Sequence, residues 1–321
     1  MRQFSSRILA GFLAALAIVP LSAQSKDPQP DERTTFRSDT RLVVLHATVI
    51  DKSGKFITNL PQTAFHVFEN NVEQPIKKVL REDVPVSMGL IVDNSGSMRT
   101  KRARVEASAL ALVKASNPQD EVFIVNFNDE AFLDQPFTSN IKELEKGLSK
   151  IDSRGGTAMR DAIRMSIDYL KENGKKDKKV LVVVTDGDDN NSSGTLENLV
   201  KAAQQSEVLI YTVGLLAEEE KREAKRATRA MNAIVEATGG KSYYPKELKE
   251  VDSICEQVAR DIRSQYIIEY SPKNSALDGS FRQIKVVANG PNRPLVRTRS
   301  GYYATPDKPD KAERTAAAKG Q

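Results

Sequence analysis

The sequence has few of the residues that build many catalytic and metal centres: one Cys, two His and no Trp among 321 residues. A single Cys excludes a disulfide framework within the chain and any Cys-rich zinc site. Two His restrict histidine-based catalysis. Lys and Arg exceed Asp and Glu only slightly, 48 against 43, and no basic block stands out. The charge therefore gives no support to a nucleic-acid-binding protein.

The chain does contain a hydrophobic fraction of 39% and a charged fraction of 28%, which is typical of a folded globular protein. Near the start, Arg2 and Arg7 precede an apolar run at 8–19 (ILAGFLAALAIV), and the small Ala23 follows. This run is too short to span a bilayer and fits the apolar part of an export signal. We therefore expect a cleaved signal peptide at 1–23 and a periplasmic, secreted or cell-surface protein. An uncleaved membrane anchor is the alternative.

Composition divides the rest of the chain into five segments. Polar, proline-containing sequence predicts a linker at 24–40 and a disordered tail at 305–321. Runs rich in β-branched residues, broken by turn signals, predict strands at 41–84 and 265–304. Each of these two β segments is too short to bury much surface alone. We predict that they pair into a small β-sandwich-like domain, with the α/β domain at 85–264 inserted between them.

The middle segment alternates strand and helix patterns. Near-continuous apolar strands at 86–93 (VSMGLIVD), 121–128 (EVFIVNFN) and 178–187 (KKVLVVVTDG) are separated by amphipathic helical patterns. Such strands are buried on both faces. The predicted class is therefore α/β, with a Rossmann-like, doubly wound, mostly parallel sheet covered by helices. In the first β segment, Asn70-Asn71 predicts a hairpin turn.

Five oxygen-bearing side chains stand at the ends of predicted strands, in the loop that follows, or at the start of a helix. They are Asp93, Ser95, Ser97, Thr157 and Asp186. Because the carboxyl ends of parallel strands share one edge of a sheet, the three loops that carry them can converge there. Two carboxylates and three hydroxyls, with no soft ligand, suit a hard divalent cation. Mg²⁺ is the first expectation, and Ca²⁺ or Mn²⁺ the next.

This pattern, Asp-x-Ser-x-Ser followed by a distant Thr and a distant Asp, resembles the metal-ion-dependent adhesion site of von Willebrand factor type A domains. The resemblance covers about 85–264 in order and spacing. The flanking stretches FHVFENN, TGGKSYYP, SQYIIEYSP and RSGYYA resemble one exported bacterial subgroup, the "VWFA-related" proteins first noted in Acidobacteria. That subgroup is largely uncharacterised, so it narrows the fold but not the partner.

The resemblance also implies how the site works. Ser95 and Ser97 would contact the metal directly, and Thr157 would do so in the ligand-bound form. Asp93 and Asp186 would act directly or through water. Neutral hydroxyls leave the charge of the cation under-compensated, so a carboxylate of a partner protein or matrix would complete the octahedron. The implied function is an exported, non-enzymatic, metal-dependent protein-binding or adhesion module.

Two other functions stay open at this point. The protein can be a structural or assembly component of a periplasmic or surface complex, in which the metal only stabilises the fold. A metal-dependent hydrolase is the lesser alternative, because no general base is evident beside the cation and both histidines, His46 and His66, fall in the predicted β zone. Nucleotide binding is not expected, since Val235 occupies the position where a phosphate-binding loop ending at Gly240-Lys241 needs glycine.

Several neighbouring residues carry secondary expectations. Gly155 and Gly156 are expected to let the backbone approach the cation just before the site threonine. Asp188 and Asp189 are expected to be solvated loop charges, with tuning of the site or a second cation as the alternative. Cys255 is expected to be a buried small hydrophobe rather than a reactive thiol.

Overall fold

The computed structural model describes residues 42–306 of the chain except 116, 150–152 and 292. The expected signal peptide and linker lie outside the described residues, as does nearly all of the expected tail. None of the described helices is long and apolar enough to cross a membrane.

Strands and helices alternate through the middle of the described chain, and strands dominate at both ends. The strands are β1 (Val43–Ile50), β2 (Phe65–Glu69), β3 (Val72–Gln74), β4 (Ile76–Leu80), β5 (Val86–Asp93), β6 (Glu121–Phe127), β7 (Ala131–Thr138), β8 (Lys178–Thr185), β9 (Leu209–Gly214), β10 (Ser242–Tyr243), β11 (Tyr266–Tyr270), β12 (Phe281–Ala288), β13 (Leu295–Arg297) and β14 (Gly301–Tyr303). The helices are α1 (Arg102–Lys114), α2 (Ile141–Ser149), α3 (Met159–Asn173), α4 (Leu196–Gln204), α5 (Lys221–Thr238) and α6 (Val251–Arg263).

A six-stranded sheet in the order β10-β9-β8-β5-β6-β7 forms the centre of the molecule. All its neighbours are parallel except β6 and β7, which are antiparallel. One buried apolar cluster joins the sheet to α1, α2 and α6, and a second joins it to α3, α4 and α5. Every residue of β5 is buried, as its apolar sequence predicts for a strand covered on both faces. The predicted fold class is confirmed.

Two four-stranded antiparallel sheets, in the orders β13-β1-β11-β4 and β14-β12-β2-β3, contain the remaining strands. Strands from the two ends of the described chain hydrogen-bond to each other, because β1 and β4 both pair with β11, and β2 pairs with β12. One apolar cluster, which includes Leu45, Val67 and Ile268, draws residues from both sheets. The central sheet lies between these segments in sequence, entered after β4 and left through α6.

The local sequence predictions differ from the structure at several strands. Within the first predicted β segment, the pattern after the Asn70-Asn71 turn reads as one strand, but the structure breaks it at Pro75 into β3 and β4, which lie in different sheets, because proline has no N–H for a ladder. The edge strand β7 was missed, since its partly exposed residues lack a continuous apolar run. The predicted turn is confirmed, with Asn70 and Asn71 at φ 48° and 65°.

A buried polar network joins α6 to the antiparallel sheet that contains β1. Asp261, which is 1% exposed, accepts hydrogen bonds from the Thr48 hydroxyl at 2.7 Å and from the Arg297 guanidinium. Gln265 donates to the Thr48 hydroxyl at 3.2 Å and to the Tyr211 hydroxyl at 3.3 Å. The carboxylate and the guanidinium neutralise each other, so the loss of either one alone would leave an uncompensated buried charge at the junction.

Candidate metal centre

The carboxyl ends of β5 and β8 place the two predicted acidic residues side by side. The strands are parallel neighbours, with Val92 opposite Val184 in register. Asp93 is the last residue of β5, and Asp186 follows the end of β8 directly. Both carboxylates are buried, at 1% and 0% exposed. The adjacent strand ends therefore bring together residues that are far apart in the sequence.

Three of the predicted oxygen ligands are in direct contact. The Ser95 and Ser97 hydroxyls lie 3.1 Å apart, and the Ser97 hydroxyl donates to Asp186 Oδ1 at 2.8 Å. Neighbouring oxygens around an octahedral Mg²⁺ are about 3.0 Å apart, because each metal–oxygen bond is about 2.1 Å long. The separations between these oxygens fit that geometry.

Asp93 is held in place by donors from its own edge of the sheet. Its Oδ1 accepts the Ser95 N–H at 2.8 Å, and its Oδ2 accepts the Thr185 hydroxyl at 2.5 Å. Burial raises the pKa of Asp93 to about 6, and these two hydrogen bonds act against that rise. The group is therefore still ionised at neutral pH, and its negative charge is fixed next to the serine hydroxyls.

Thr157 lies at the same edge but is less closely joined to the other four. Its N–H donates to Asn190 Oδ1 at 2.9 Å. A Cβ placed on Gly187, the residue after Asp186, would lie 3.8 Å from the threonine hydroxyl oxygen. The structure thus brings Thr157 beside the Asp186 loop, without a hydrogen bond from its hydroxyl to the other four described side chains.

Gly155 and Gly156 make room for side chains of neighbouring loops, and the expectation that they also let the backbone approach the cation stays a prediction. Gly155 has φ +76°, and a Cβ there would lie 2.2 Å from Asp129 Oδ2. A Cβ on Gly156 would lie 2.8 Å from Asn190 Oδ1. The Gly156 N–H also donates to Asp129 Oδ1 at 2.7 Å. The glycine pair is therefore explained by these close approaches.

The expectation of solvated charges at Asp188 and Asp189 is wrong. The Asp189 side chain is 3% exposed, accepts the Arg160 N–H at 2.7 Å in the first turn of α3, and pairs with the Arg160 guanidinium. Asp188 is 21% exposed and pairs with Arg226 at 2.6 Å. Both carboxylates have an arginine partner within the chain, so their charges are compensated by the protein itself.

Lys101 is a member of the site that the sequence reasoning missed. Its ammonium lies 2.8 Å from Asp186 Oδ2 and 3.4 Å from Glu218 Oε2, with its side chain 11% exposed. Burial lowers the pKa of Lys101, but the hydrogen bond and charge of Asp186 outweigh this and raise it overall. Lys101 is therefore a fixed positive charge beside a predicted metal ligand.

The sequence contains only a weak signal for this lysine. Lys101 lies in the charged run MRTKRARVE, where any of four basic residues could face the site. A short 3₁₀ turn at Gly96–Thr100 precedes α1 and turns the chain so that Lys101 reaches Asp186. Helical periodicity applied from the start of the run does not predict this direction.

The charges around the site leave a net negative balance for a cation. The buried carboxylates Asp93 and Asp186 face one ammonium, that of Lys101. Among the residues that the structure describes, no group of three or more His, Cys, Asp or Glu side chains could hold a metal ion. A cation at this edge would therefore need the serine and threonine hydroxyls as well as the carboxylates.

Comparison with known proteins identifies the segment that contains most of this site. Residues 88–188 match the von Willebrand factor type A domain. The inter-alpha-trypsin inhibitor heavy chain H4 of Bos taurus is 25% identical over 100 residues, which is 29% of this chain and only 11% of that protein.

Solved structures are similar in fold. A von Willebrand factor type A protein from Catenulispora acidiphila superposes with a TM-score of 0.51 at 12% identity, over 83% of this chain and 75% of that one. The vWF domain of the type V pili tip protein Mfa5 from Porphyromonas gingivalis gives a TM-score of 0.46 at 13% identity. The match covers 56% of this chain and 97% of that one.

Proposed function

Because residues 88–188 of this chain form a von Willebrand factor type A domain, we propose that the protein binds a partner protein through a divalent cation. Mg²⁺ is the proposed ion, with Ca²⁺ or Mn²⁺ as substitutes. The observation that carries the proposal is the contact among the Ser95, Ser97 and Asp186 oxygens at separations of 2.8 and 3.1 Å.

The roles of the five residues follow from their chemistry. The hydroxyls of Ser95, Ser97 and Thr157 would ligate the ion as neutral oxygens, and Asp93 and Asp186 would supply charge directly or through water. A bound dication supplies an electrophilic centre that accepts a carboxylate oxygen. Since three of five ligands are neutral and a lysine adds positive charge, a partner's Asp or Glu carboxylate would complete both the coordination and the charge.

We further propose that the protein is exported, as its apolar N-terminal run predicts, and that it is not an enzyme. The non-enzymatic assignment is supported by the placement of the two histidines. His46 lies in β1 and His66 in β2, within the antiparallel sheets rather than at the carboxyl edge of the central sheet. No histidine base therefore stands at the proposed metal site.

The first experiment measures Mg²⁺ binding to the full chain by calorimetry. Ser97→Ala should lose saturable Mg²⁺ binding, because Ser97 contacts both another hydroxyl and Asp186 and is itself exposed. Ser193→Ala is the matched control, since Ser193 is an exposed hydroxyl at the same edge that bonds Asp161 instead. Equal Mg²⁺ affinity in the parent and in Ser97→Ala would contradict the proposed site.

The second experiment tests the partner chemistry. A glutamate-containing peptide should bind the Mg²⁺-loaded parent, lose binding in EDTA, and fail to bind Ser97→Ala. The same peptide with glutamine in place of glutamate is the control. If Mg²⁺ raises the melting temperature while neither peptide nor captured surface proteins depend on it, the metal has only a structural role, and the binding function is refuted.

A further inference from the structure

A second site candidate lies at the opposite edge of the central sheet. At the amino ends of β5, β8 and β9, the sheet meets the antiparallel sheets around a cavity of about 670 Å³, called here the basic crevice. Its lining includes five cationic side chains and three carboxylates. The cations are Lys175, Lys176, Lys178, Lys179 and Arg299, and the carboxylates are Asp177, Glu207 and Glu269.

Some of these cations are available to a ligand. Lys178 is buried and donates to the Ile262 carbonyl, and Lys179 donates to the Lys176 carbonyl at 3.1 Å. The Lys175 and Lys176 ammonium groups form no ion pair within the described ranges. The crevice therefore has an excess of positive charge, and two lysines keep their ammonium groups unneutralised.

Two buried nitrogen atoms among the lining residues have no hydrogen-bond partner. They are Arg299 Nε and His46 Nδ1, judged against every described residue. Arg299 is 8% exposed, and its Nη1 reaches Glu207 at 3.4 Å, which leaves Nε unused. A guanidinium N–H can only donate, and a buried donor without an acceptor is costly. The missing group at Arg299 is therefore an acceptor.

The positive charges that line the crevice also affect the pKa of His46. Burial is the largest cause, and together with the charges of Lys178 and Arg299 it lowers the pKa of His46 to about 3. His46 is therefore neutral at neutral pH and has one ring N–H to offer. An anion beside it would relieve both the unpaired donor at Arg299 and the repulsion between the cations.

Most of the remaining lining residues are apolar. Val84, Leu209 and Ile267 contribute from three different segments, before β5, in β9 and in β11. We propose that the basic crevice binds a small organic anion, with its carboxylate or phosphate group at Arg299 and His46 and its apolar body against these side chains. Arg299 is the residue that selects the anionic group.

A structural explanation competes with this one. Helices α4 and α5 both end at the crevice, and the partial negative charge of a helix C-terminus favours nearby lysines. That explanation accounts for the charge but not for the unpaired Arg299 nitrogen. It also predicts that added anions do not bind, so the two explanations can be separated.

The test uses the full chain in EDTA, so that its outcome does not depend on the metal site. Hexanoate, hexyl phosphate and hexylamine are titrated by calorimetry at constant ionic strength. One or both anions should bind saturably and the amine should not, and the difference between the two anions identifies the preferred head group. Arg299→Met should weaken binding by about tenfold or more. Lys285→Met, an exposed cation on β12 outside the crevice lining, should not change it.

The two histidines give an independent readout, because the chain has no others. Ring signals of His46 in NMR spectra should shift on adding the anion, whereas those of His66, which contacts Glu73 in another sheet, should stay unchanged. Should Arg299→Met fail to fold, the double variant Lys175→Met, Lys176→Met on the exposed rim replaces it, with weaker anion binding expected. Absence of saturable anion binding, equal binding of hexylamine, or no shift at His46 would overturn the proposal.

Discussion

The two edges of the central sheet differ in the sign of the charge that they expose to a ligand. At the carboxyl edge, the buried carboxylates of Asp93 and Asp186 and two serine hydroxyls face a single lysine. At the amino edge, five cationic side chains face three carboxylates. The sheet fixes where the loops lie, and the residues next to each strand determine what they bind. One scaffold thus separates an oxygen-rich edge, where we propose a cation, from a donor-rich edge, where we propose an anion.

The edges also differ in how much of the molecule builds them. Residues of the central sheet and its loops form the carboxyl edge site. The basic crevice needs both the central sheet and the antiparallel sheets, since His46 and Arg299 belong to the segments that form the antiparallel sheets. A change at the junction should therefore affect the two sites unequally.

The largest expected effect comes from Asp261→Ala at that junction. The substitution leaves the Arg297 guanidinium buried without its carboxylate and removes the acceptor of the Thr48 hydroxyl. Removing one partner of a buried pair costs about 3–5 kcal/mol of unfolding free energy, measured by urea denaturation. Anion binding at the crevice should weaken strongly, while Mg²⁺ affinity at the carboxyl edge should stay within about twofold.

Glu256→Ala is the matched control on the same helix. Glu256 pairs with Arg260, and both side chains are more than half exposed, so its loss should change the unfolding free energy by less than about 1 kcal/mol. If Asp261→Ala reduces Mg²⁺ affinity as much as anion binding, the two edges are not independent, and the comparison fails.

Lys101→Met should produce the next largest effect, at the carboxyl edge. Without the ammonium, Asp186 is buried and uncompensated, so the protein in EDTA should lose about 3 kcal/mol of unfolding free energy. A dication then meets less repulsion and a free carboxylate, so Mg²⁺ affinity should rise by about tenfold or more in calorimetry. Saturating Mg²⁺ should restore most of the lost stability.

Lys101→Arg keeps the charge and serves as the control, with Mg²⁺ affinity expected near that of the parent. Lower Mg²⁺ affinity in Lys101→Met would mean that the lysine positions Asp186 for the metal instead of competing with it. Unchanged affinity would mean that the cation does not use Asp186 at all.

The fold class could be predicted because strong local signals specify it, whereas the metal-binding role of the five-residue set stays a prediction. Continuous apolar strands such as β5 and β8 predict a buried parallel sheet, and Asp or Ser directly after a strand end is placed by the sheet itself. The direction of Lys101 depends on a single 3₁₀ turn, and the burial of Asp189 depends on the N-terminus of α3. The basic crevice depends on how two sheets meet, which no local pattern in the sequence specifies.

A third prediction concerns pH and the amino edge. The folded chain holds the pKa of His46 at about 3, against about 6.5 for an unperturbed histidine. Below about pH 6.5, His46 is therefore protonated in the unfolded chain but stays neutral in the folded chain. The unfolding free energy consequently falls as the pH falls. The slope is about 1.4 kcal/mol per pH unit, which gives a loss of about 2 kcal/mol by about pH 5.

His46→Gln removes this titration. The measurement is the difference in unfolding free energy between the parent and the variant as the pH falls from about 6.5 to about 5. The positive charges of Lys178 and Arg299 act on this ring, and Glu207 and Glu269 are among the carboxylates that line the same crevice. A saturating anion should reduce the pH dependence of the unfolding free energy of the parent, because it allows His46 to take up a proton in the folded chain. A difference that does not vary with pH would contradict a His46 ring that stays neutral in the folded chain.

The smallest expected effect is that of Arg226→Gln, which tests whether a charge next to the proposed metal site changes its Mg²⁺ affinity. Arg226 is about half exposed and pairs with Asp188, two residues beyond the site carboxylate Asp186. Freeing Asp188 adds one negative charge near the cation, so Mg²⁺ affinity should rise by about twofold at low salt and return to the parent value at high salt. Arg229→Gln, an exposed arginine on the same helix, is the control and should have no effect. An effect of about tenfold that persists at high salt would mean that Asp188 contacts the cation itself, and the site would then have three carboxylates.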